Sequence, residues 1–300
     1  MATEGSGRTW FRVEVLVPSE GVDIATEQLL ILGAQGVAVE ESEKGAKVVG
    51  FLPSHPTAIE MRRLKSNLKM ASSLGVFEGE AQVEVRPIRA RDWEVAWREG
   101  LSPVPVGERI VVRPPWAEVP REFSGRVVVE IEPGMAFGTG HHVTTRMCLE
   151  AVEELTKPGD LVFDIGTGSG ILAVAALKLG ARMAVGVDND PRALKVALGN
   201  ARRNGVLERF RAVGGDLVRP LKGRCDLLLC NITSRAAVEM CSLARGMVGR
   251  AMVLSGISLE GMRKVDEAIE QWGWEVMRRE AREGWAIYVL KPPREGSWPC

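Results

Sequence analysis

The fold of this chain is most constrained by residues 161–188, LVFDIGTGSGILAVAALKLGARMAVGVD. Two short apolar runs rich in Val and Ile, 161–165 and 184–187, enclose a glycine turn and an apolar segment that stops at Gly180. Short apolar runs bounded by glycine are typical of strands that are buried on both faces of a parallel sheet. The stretch therefore predicts a βαβ unit, in which a glycine turn and a helix join two strands.

The glycine turn and the acid that ends the second strand indicate a nucleoside site. Gly166, Gly168 and Gly170 let the backbone approach a ligand closely, where a Cβ atom would collide with it. Asp188 ends the second strand, where a carboxylate can accept hydrogen bonds from ribose hydroxyl groups. We therefore expect a nucleoside to lie across the carboxyl ends of these two strands.

The spacing of the glycines distinguishes between nucleoside cofactors. The dinucleotide fingerprint is G-x-G-x-x-G, and its third glycine position is Ile171 in this chain. The run here is G-x-G-x-G, with Asp164 two residues before the first glycine. This is the pattern of Rossmann-like methyltransferases that use S-adenosyl-L-methionine. A nicotinamide or flavin site and a glycine-rich turn without a ligand are the alternatives.

Composition excludes several other classes. A chain of 300 residues with 45% hydrophobic content can form two domains, each with its own core. Lys plus Arg and Asp plus Glu both number 39, so bulk charge does not draw the protein to nucleic acid or to a membrane. The N-terminus lacks the pattern of a signal peptide, and no apolar run approaches the roughly 20 residues of a membrane span. We therefore expect a cytoplasmic protein.

The cysteines and histidines form no metal-binding pattern. The cysteines have no C-x-x-C spacing, so we expect reduced, buried thiols rather than disulfides or a zinc site. The chain has only 3 histidines, and we expect no metal. These residues are Cys148, Cys225, Cys230, Cys241, Cys300, His55, His141 and His142.

Residues 1–88 predict an α+β domain of the ferredoxin-like type. Apolar and polar residues alternate along 8–18, as in a half-buried strand, and Thr57 with Glu60 forms a capping box that opens a helix. No aromatic pair lies on a predicted central strand, as it would in an RNA-binding sheet, so we expect this domain to recognise a protein substrate. The predicted order is βαββαβ, with the first helix at 23–32 and the later strands at 36–41, 46–52 and 81–88.

Residues 89–118 are interpreted as a linker with a short helix, RDWEVAWREG, followed by a proline-bearing segment. Trp93 and Trp97 are four residues apart and therefore lie on one face of that helix. They either pack between the domains or contact the substrate.

A glycine-containing loop precedes the βαβ unit. After a predicted strand at 126–131, the loop EPGMAFGTGHH leads into a helix that follows Thr144 and Thr145. The two hydroxyl groups can cap this helix, or can reach a bound carboxylate or nucleoside. His141 and His142 are interpreted as solvent-facing loop residues, with a general base or a metal ligand as the alternative.

The loop and the βαβ unit resemble those of one family. EPGMAFGTGHHVTTRMCLE, DIGTGSGILAVAALKLGA, GVDNDPRAL, NARRNGV and CDLLLCNI are similar to motifs of the bacterial methyltransferases of ribosomal protein eleven, a stalk-base protein of the large subunit. The resemblance covers about residues 90–290, and the loop F-G-T-G-H-x-x-T-T is peculiar to this group among methyltransferases. It implies an enzyme that uses S-adenosyl-L-methionine and acts on a ribosomal protein.

The rest of the pattern completes an α/β domain at 119–292, with a seven-stranded Rossmann-like sheet. A third strand at 209–213 leads to Asp216, which is interpreted as a contact of the adenine amine or as a turn residue. A fourth strand at 226–230 ends at Asn231. Further strands are predicted at 251–254, 274–277 and 285–290, with a helix at 259–271 and a disordered tail at 293–300.

The resemblance also implies roles for residues of the site. Asn231 is at the position of an asparagine that closes the cofactor and acceptor site. Its amide carbonyl can orient the N–H groups of an amine without stabilising the ammonium form as strongly as a carboxylate would. The implied cofactor contacts are Gly166 with its neighbours Gly168 and Gly170, Asp188 for the ribose, and Thr145 and Phe137 in the loop that covers the cofactor.

The residues after Asn231 favour a protein acceptor. Methyltransferases that modify base amines carry two prolines and an aromatic residue after the Asn or Asp, whereas residues 232–234 are Ile-Thr-Ser. We therefore predict a protein N-methyltransferase for lysine side chains, with the α-amino group as a further acceptor. We expect a monomer that needs neither nucleic acid nor a membrane. A nicotinamide-dependent oxidoreductase, a nucleic-acid amino-methyltransferase and a binding module without turnover are the alternatives.

Overall fold

The computed structural model of the chain describes residues 9–34, 37–42, 45–89, 102–132, 140 and 142–293. The chain divides into two units, Met1–Ser102 and Pro103–Cys300. Several predicted features lie outside the described residues: the helix with Trp93 and Trp97, most of the glycine-containing loop with Phe137 and His141, and the tail from residue 294.

The first unit has the βαββαβ order that the sequence predicts. Its four strands pair antiparallel in the order β2-β3-β1-β4. Val13 and Val15 of β1 are fully buried and pack with Leu29 of α1 and Leu68 of α2. The predicted capping box is present at the start of α2. The elements are β1 (Thr9–Val17), α1 (Val22–Ile31), β2 (Val37–Ser42), β3 (Gly45–Leu52), α2 (Ala58–Ser73) and β4 (Gln82–Arg89).

The second unit opens with a small sheet where the sequence predicts a linker. β5 (Val104–Val106) pairs antiparallel with β6 (Ile110–Arg113), and β6 pairs parallel with β7 (Val127–Glu130). Ile110 and Val111 are fully buried. The structure therefore differs from the predicted boundary at residue 119, because residues 104–113 join the second unit through this sheet.

The remaining elements of the second unit alternate between helices and strands. The segment after Asn231, for which the sequence analysis predicts no helix, contains one. The elements are α3 (Val143–Leu155), β8 (Leu161–Ile165), α4 (Ile171–Lys178), β9 (Met183–Asp188), α5 (Pro191–Arg203), β10 (Phe210–Gly214), β11 (Cys225–Asn231), α6 (Ser234–Leu243), β12 (Val248–Ser258), α7 (Met262–Gln271), β13 (Glu275–Arg282) and β14 (Trp285–Lys291).

Seven of these strands form one sheet in the order β10-β9-β8-β11-β12-β14-β13. The first five strands in that order are parallel, and β14 is antiparallel to both of its neighbours. The chain moves outward from β8 to β10 and then returns to β11 on the other side of β8. Open α/β sheets bind ligands at the carboxyl ends of the strands where the order reverses, so β8 and β11 flank the expected crevice.

Helix α4 has no solvent-facing side, which explains its apolar sequence. Every residue from Ile171 to Leu177 is buried, since α4 is enclosed by α3, α5, β7 and the large sheet. The helix is therefore fixed by packing on all sides, and it holds the glycine turn that precedes it. Among the described residues, no helix combines the length and the apolar character that a membrane span requires.

Asn200 of α5 and Asn204, the residue that follows α5, bind the backbone at the last residue of β7 and two residues beyond it. The Asn204 side chain accepts a hydrogen bond from the Glu130 N–H at 2.9 Å and donates one to the Glu130 carbonyl at 2.6 Å. Asn200 accepts from the Glu132 N–H at 3.0 Å and donates to the Ser169 carbonyl at 2.8 Å. Helix α5 therefore connects the edge of β7 to the glycine turn.

Candidate active site

The glycine turn between β8 and α4 has the backbone conformation that its sequence requires. Gly166, Gly168 and Gly170 have φ values of +68°, +53° and +79°, in the left-handed region that side chains rarely adopt. The N–H groups of Gly166 and Thr167 both donate to the carbonyl of Val187 at 2.9 Å, which ties the turn to β9.

Close neighbours also restrict two of these glycines. A Cβ atom on Gly166 would lie 2.6 Å from Cγ2 of Ile232, the residue after β11. A Cβ atom on Gly170 would lie 3.0 Å from the Cβ atom of Ala197 on α5. Gly166 therefore brings the turn against the end of β11, and Gly170 brings it against α5.

Asp164 of β8 stabilises the glycine turn through its side chain. Its side chain is almost fully buried, and Oδ2 accepts hydrogen bonds from the Thr167 hydroxyl at 2.7 Å and from the Ala173 N–H at 3.2 Å. Burial raises the pKa of Asp164 to about 6, the hydrogen bonds from Thr167 and Ala173 oppose that rise, and the charge of Asp188 adds to it. The acid thus joins the turn to the first turn of α4.

Asp188 lies half-buried at the end of β9, beside the glycine turn. Its Oδ2 atom accepts a hydrogen bond from the Gly168 N–H at 2.9 Å, and its Oδ1 atom accepts one from the Asp190 N–H at 3.0 Å. A carboxylate has about four acceptor sites, so each oxygen keeps one for a further donor. The structure thus brings two predicted cofactor contacts together, and Asp188 retains the capacity to accept two ribose hydroxyl groups.

Helix α3 begins at Val143, before the threonine pair rather than after it as the sequence predicts. Its N-cap is His142, whose Nδ1 atom accepts a hydrogen bond from the Thr144 N–H at 3.3 Å. The His142 ring is half-buried and packs edge to face against the Trp285 ring, with 5.4 Å between the two ring centroids. The interpretation of His142 as a solvent-facing loop residue is therefore wrong, and so is the assignment of the cap to Thr144 or Thr145, because both threonines lie inside the first turn.

The threonine pair turns its hydroxyl groups inward. Thr144 and Thr145 are 1% and 0% exposed. The Thr144 hydroxyl lies 2.7 Å from Nδ1 of His142, while the Thr145 hydroxyl has no hydrogen-bond partner among the residues that the structure describes. Since α3 packs on β11, β12 and β14, these hydroxyl groups face the sheet near the end of β11.

Asn231, the last residue of β11, meets this threonine pair. Its Nδ2 atom donates a hydrogen bond to the Thr144 hydroxyl at 3.3 Å, and its Oδ1 atom is buried without a partner in the described part of the chain. The backbone beyond it is held by β12, because the Ile232 N–H donates to the Ser255 carbonyl at 3.0 Å. The fold thus joins two predicted site residues that are far apart in sequence.

A break in the pairing of β12 supports the end of β11. The register between β12 and β14 shifts between Leu254 and Ile257, and Gly256 has a φ of +77°. A Cβ atom on Gly256 would lie 2.2 Å from the Ile232 carbonyl oxygen. Bulges of this kind often occur beside active sites, where they direct a neighbouring segment.

Two buried polar atoms indicate that the crevice suits a nucleoside cofactor with an amino-acid tail. Buried polar groups are nearly always paired, and the Thr145 hydroxyl and the Asn231 amide oxygen have no partner within the described ranges. A hydroxyl group and an amide oxygen are suitable partners for an amine, a carboxylate or a hydroxyl group of a ligand. Together with the free acceptor sites of Asp188 and the backbone exposed by the glycines, these atoms fit S-adenosylmethionine.

Asp216 has a different environment from the other predicted contacts. It lies two residues beyond β10, is exposed, and pairs with Arg219, which also pairs with Glu239. Its contact with adenine stays a prediction, as does the contact of Phe137, which lies outside the described residues. Ile232, by contrast, borders the site although the sequence assigns it no cofactor or catalytic role, and His142 borders it as the cap of α3 rather than as a solvent-facing residue.

The four described cysteines are free and buried, with no role in the crevice. Burial raises the pKa of Cys148, Cys225 and Cys241 to about 12 and raises that of Cys230 well above its ordinary value. They therefore stay protonated at neutral pH. Within the described part of the chain, no group of three or more His, Cys, Asp or Glu residues is placed to hold a metal ion.

The sheet order and the crevice define the class of the protein. The order of the parallel strands is that of a Rossmann-like sheet, with β14 inserted antiparallel beside the last strand. The G-x-G-x-G turn lies at the point where this order reverses, so the protein is a methyltransferase that uses S-adenosylmethionine.

Comparison with known proteins identifies the family. The chain belongs to the ribosomal protein L11 methyltransferase family (PrmA), whose model matches residues 9–292. A ribosomal protein L11 methyltransferase of Pelotomaculum thermopropionicum is 36% identical over 304 residues, covering 94% of this chain and 98% of the relative. The enzyme of the same name from Syntrophotalea carbinolica is 38% identical over 281 residues, covering 86% and 90%.

A solved structure supports the fold. The ribosomal protein L11 methylase of Lactobacillus delbrueckii subsp. bulgaricus superposes with a TM-score of 0.60 at 22% identity, covering 64% of this chain and 98% of that chain. The Rossmann-like fold is therefore found in a solved protein that carries the same family name.

Proposed function

We propose that this chain transfers methyl groups from S-adenosylmethionine to lysine side-chain amines of ribosomal protein L11, with the α-amino group as a further acceptor. The names of the relatives support the substrate, and they do not favour the oxidoreductase alternative. The observation that carries the chemistry is the amide oxygen of Asn231, which is buried at the point where the strand order reverses and has no partner among the residues described.

The cofactor contacts follow from the free polar groups of the crevice. When bound, S-adenosylmethionine supplies a methyl group that its sulfonium has already activated. Asp188 would accept the ribose hydroxyl groups, and the turn from Gly166 to Gly170 would lie along the cofactor without a Cβ atom between them. The Thr145 hydroxyl would bond to the polar tail. Phe137 and Asp216 remain proposed contacts on the resemblance alone.

Asn231 is the proposed catalytic residue because of what it does to an amine. A lysine has an ordinary pKa of about 10.4 and attacks only when it is neutral. The Asn231 oxygen can accept one N–H of a neutral amine and so orient the nitrogen lone pair toward the methyl group. As an uncharged acceptor it leaves the ammonium form without a counter-charge, and the proton can pass to solvent.

The experiment combines purified chain, purified ribosomal protein L11 and S-adenosylmethionine, and follows the intact mass of L11. We expect mass increments of one methyl group each, and we expect Asp188→Ala and Asn231→Ala to abolish them. Glu122→Ala, which removes an exposed carboxylate of the same unit, is the control and should keep full activity.

Two results would contradict the proposal. One is that labelled cofactor modifies RNA but no protein in a mixture that contains both. The other is that calorimetry shows binding of NAD(H) but not of S-adenosylhomocysteine. An inactive but folded chain that binds S-adenosylhomocysteine would instead favour a binding module without turnover.

The partner and the domain roles are also proposals. We propose that residues 1–88 recognise L11, that the enzyme is a cytoplasmic monomer, and that it needs no nucleic acid. Methylation of free L11 should then persist after nuclease treatment, and light scattering should give the mass of one chain. Loss of methylation after nuclease treatment would contradict the independence from nucleic acid.

A further inference from the structure

We propose that His142 acts through Thr144 to hold the amide of Asn231 in one orientation, with its oxygen toward the acceptor amine. The three side chains form one line of hydrogen bonds, from Nδ1 of His142 to the Thr144 hydroxyl and on to Nδ2 of Asn231. The role at the amine rests on the function proposed above, whereas the line of hydrogen bonds stands on its own.

The first step is the protonation state of His142. The Thr144 backbone N–H points at Nδ1 of His142 at 3.3 Å, as part of the helix cap. In the proposed arrangement Nδ1 accepts from this N–H, so Nδ1 carries the lone pair and the ring proton sits on Nε2. The ring is a fixed acceptor at the start of α3.

The second step is the direction of the Thr144 hydroxyl. Its oxygen lies 2.7 Å from the same Nδ1 atom, and in the proposed arrangement the hydroxyl donates its proton there, so that the hydroxyl and the backbone N–H share the single lone pair of Nδ1. A hydroxyl group has one proton, and with that proton used its oxygen can only accept from its other neighbour.

The third step is the orientation of Asn231. Because the Thr144 oxygen accepts, Asn231 must present its NH₂ group to it, as the 3.3 Å contact from Nδ2 shows. Oδ1 then points the other way, and it is buried without a partner among the described residues. A flipped amide would set two acceptors against each other at Thr144, so His142 determines which end of the amide faces the acceptor amine.

The surroundings keep this line in place. Thr144 is 1% exposed, and the His142 ring packs edge to face on Trp285, the first residue of β14. The line therefore joins α3 to the ends of β11 and β14, on the rigid part of the second unit. His142 is a positioning residue, since it touches neither the amine nor the cofactor in this scheme.

The test removes the hydroxyl group and keeps the shape. Thr144→Val leaves the backbone N–H that His142 caps, and Thr144→Ser restores the hydroxyl. Thr156→Val is the matched control, because the Thr156 hydroxyl at the other end of α3 is also buried but has no partner among the described residues. We expect Thr144→Val to lower kcat about tenfold, equivalent to about 1.4 kcal/mol, while the KM for L11 and the affinity for S-adenosylhomocysteine stay within about twofold. Thr144→Ser and Thr156→Val should keep the wild-type kcat.

A second readout needs no methyl transfer. In ¹⁵N-labelled protein, the side-chain NH₂ signals of Asn231 are those that disappear in Asn231→Ala. We expect them to shift in Thr144→Val and in His142→Ala, and to return in His142→Asn, whose Oδ1 atom can replace Nδ1 as the acceptor.

The outcomes separate this proposal from the proposed function. Unchanged NH₂ signals in a folded His142→Ala or Thr144→Val variant would overturn the line of hydrogen bonds. A wild-type kcat in Thr144→Val would overturn its role in positioning. If the wild-type chain fails to methylate L11, the proposed function fails, and the NH₂ signals still decide whether His142 orients Asn231.

Discussion

Asp164 is expected to make the stability of the second unit depend on pH. The side chain is 1% exposed, and burial raises its pKa from 3.8 to about 6. One pKa unit corresponds to 1.36 kcal/mol, so keeping Asp164 ionised in the folded protein at neutral pH costs about 3 kcal/mol. The Asp164→Asn variant should recover part of that free energy.

The direction of the effect follows from the raised pKa. The folded state binds the Asp164 proton more tightly than the unfolded state, so the contribution of this group is most favourable below its unfolded pKa of 3.8. It is lost as the pH rises to about 6 and is constant above that value. Asparagine does not ionise, and its amide oxygen can still accept from Thr167 and Ala173. Because the added NH₂ group must find its own acceptor, we expect a net gain of about 1–3 kcal/mol at neutral pH.

Hydrogen exchange measures this difference in the second unit alone. Peptides from β8 and α4 should be compared between wild type and Asp164→Asn at about pH 4.5 and about pH 7, with each rate converted to a free energy of opening. The advantage of the variant should be small at the lower pH and near its full value at the higher one. A variant that is less stable at neutral pH, or a difference that is the same at both values, would refute the reasoning.

Two further variants test the crevice. Gly166→Ala should lower the affinity for S-adenosylhomocysteine by calorimetry at least about tenfold, because its Cβ atom would meet Ile232 at 2.6 Å, whereas Gly205→Ala has the same φ of +68° in open space and should keep the affinity. Equal losses in the two variants would show that strain alone is responsible. Asn231→Asp should move the pH profile of kcat to higher pH, because a carboxylate stabilises the ammonium form of the bound lysine and raises its pKa. A profile that keeps its wild-type midpoint would contradict this role.

The central part of the fold is predictable because its signals are local. The βαβ unit is defined by two apolar runs and by glycines that must adopt positive φ, and the structure has β8, α4 and β9 where the sequence places them. The capping box at Thr57 is equally local, since its donor and acceptor lie three residues apart. Such features depend little on the rest of the chain.

The small sheet at residues 104–113 illustrates what local patterns miss. β5 and β6 are three and four residues long and lie among prolines, so they carry almost no periodic signal. β6 becomes a strand because β7, more than a dozen residues further on, pairs with it. The start of α3 was predicted wrongly for another reason: the His142 ring accepts the capping hydrogen bond, where the threonine hydroxyl groups were the expected acceptors.

The site itself could be predicted as a set of residues but not as a geometry. Asp188 and Gly168 follow from one motif, and the structure joins them by a hydrogen bond. The bond between Asn231 and Thr144 spans 87 residues, and no spacing in the sequence indicates it. Which side chain donates in that hydrogen bond depends in turn on His142, which the sequence analysis predicts to face solvent.

The pairing of α5 with β7 also has a consequence for solubility. Four residues of helix rise about 6 Å, and two residues of strand rise about 6.6 Å. The spacing between Asn200 and Asn204 therefore matches the spacing between the backbone groups of Glu132 and Glu130. Their carboxamides thus imitate a neighbouring strand and occupy groups that could otherwise recruit a second molecule. A variant that lacks both carboxamides would expose an unpaired strand edge. Its tendency to aggregate or to form fibrils would then increase with protein concentration.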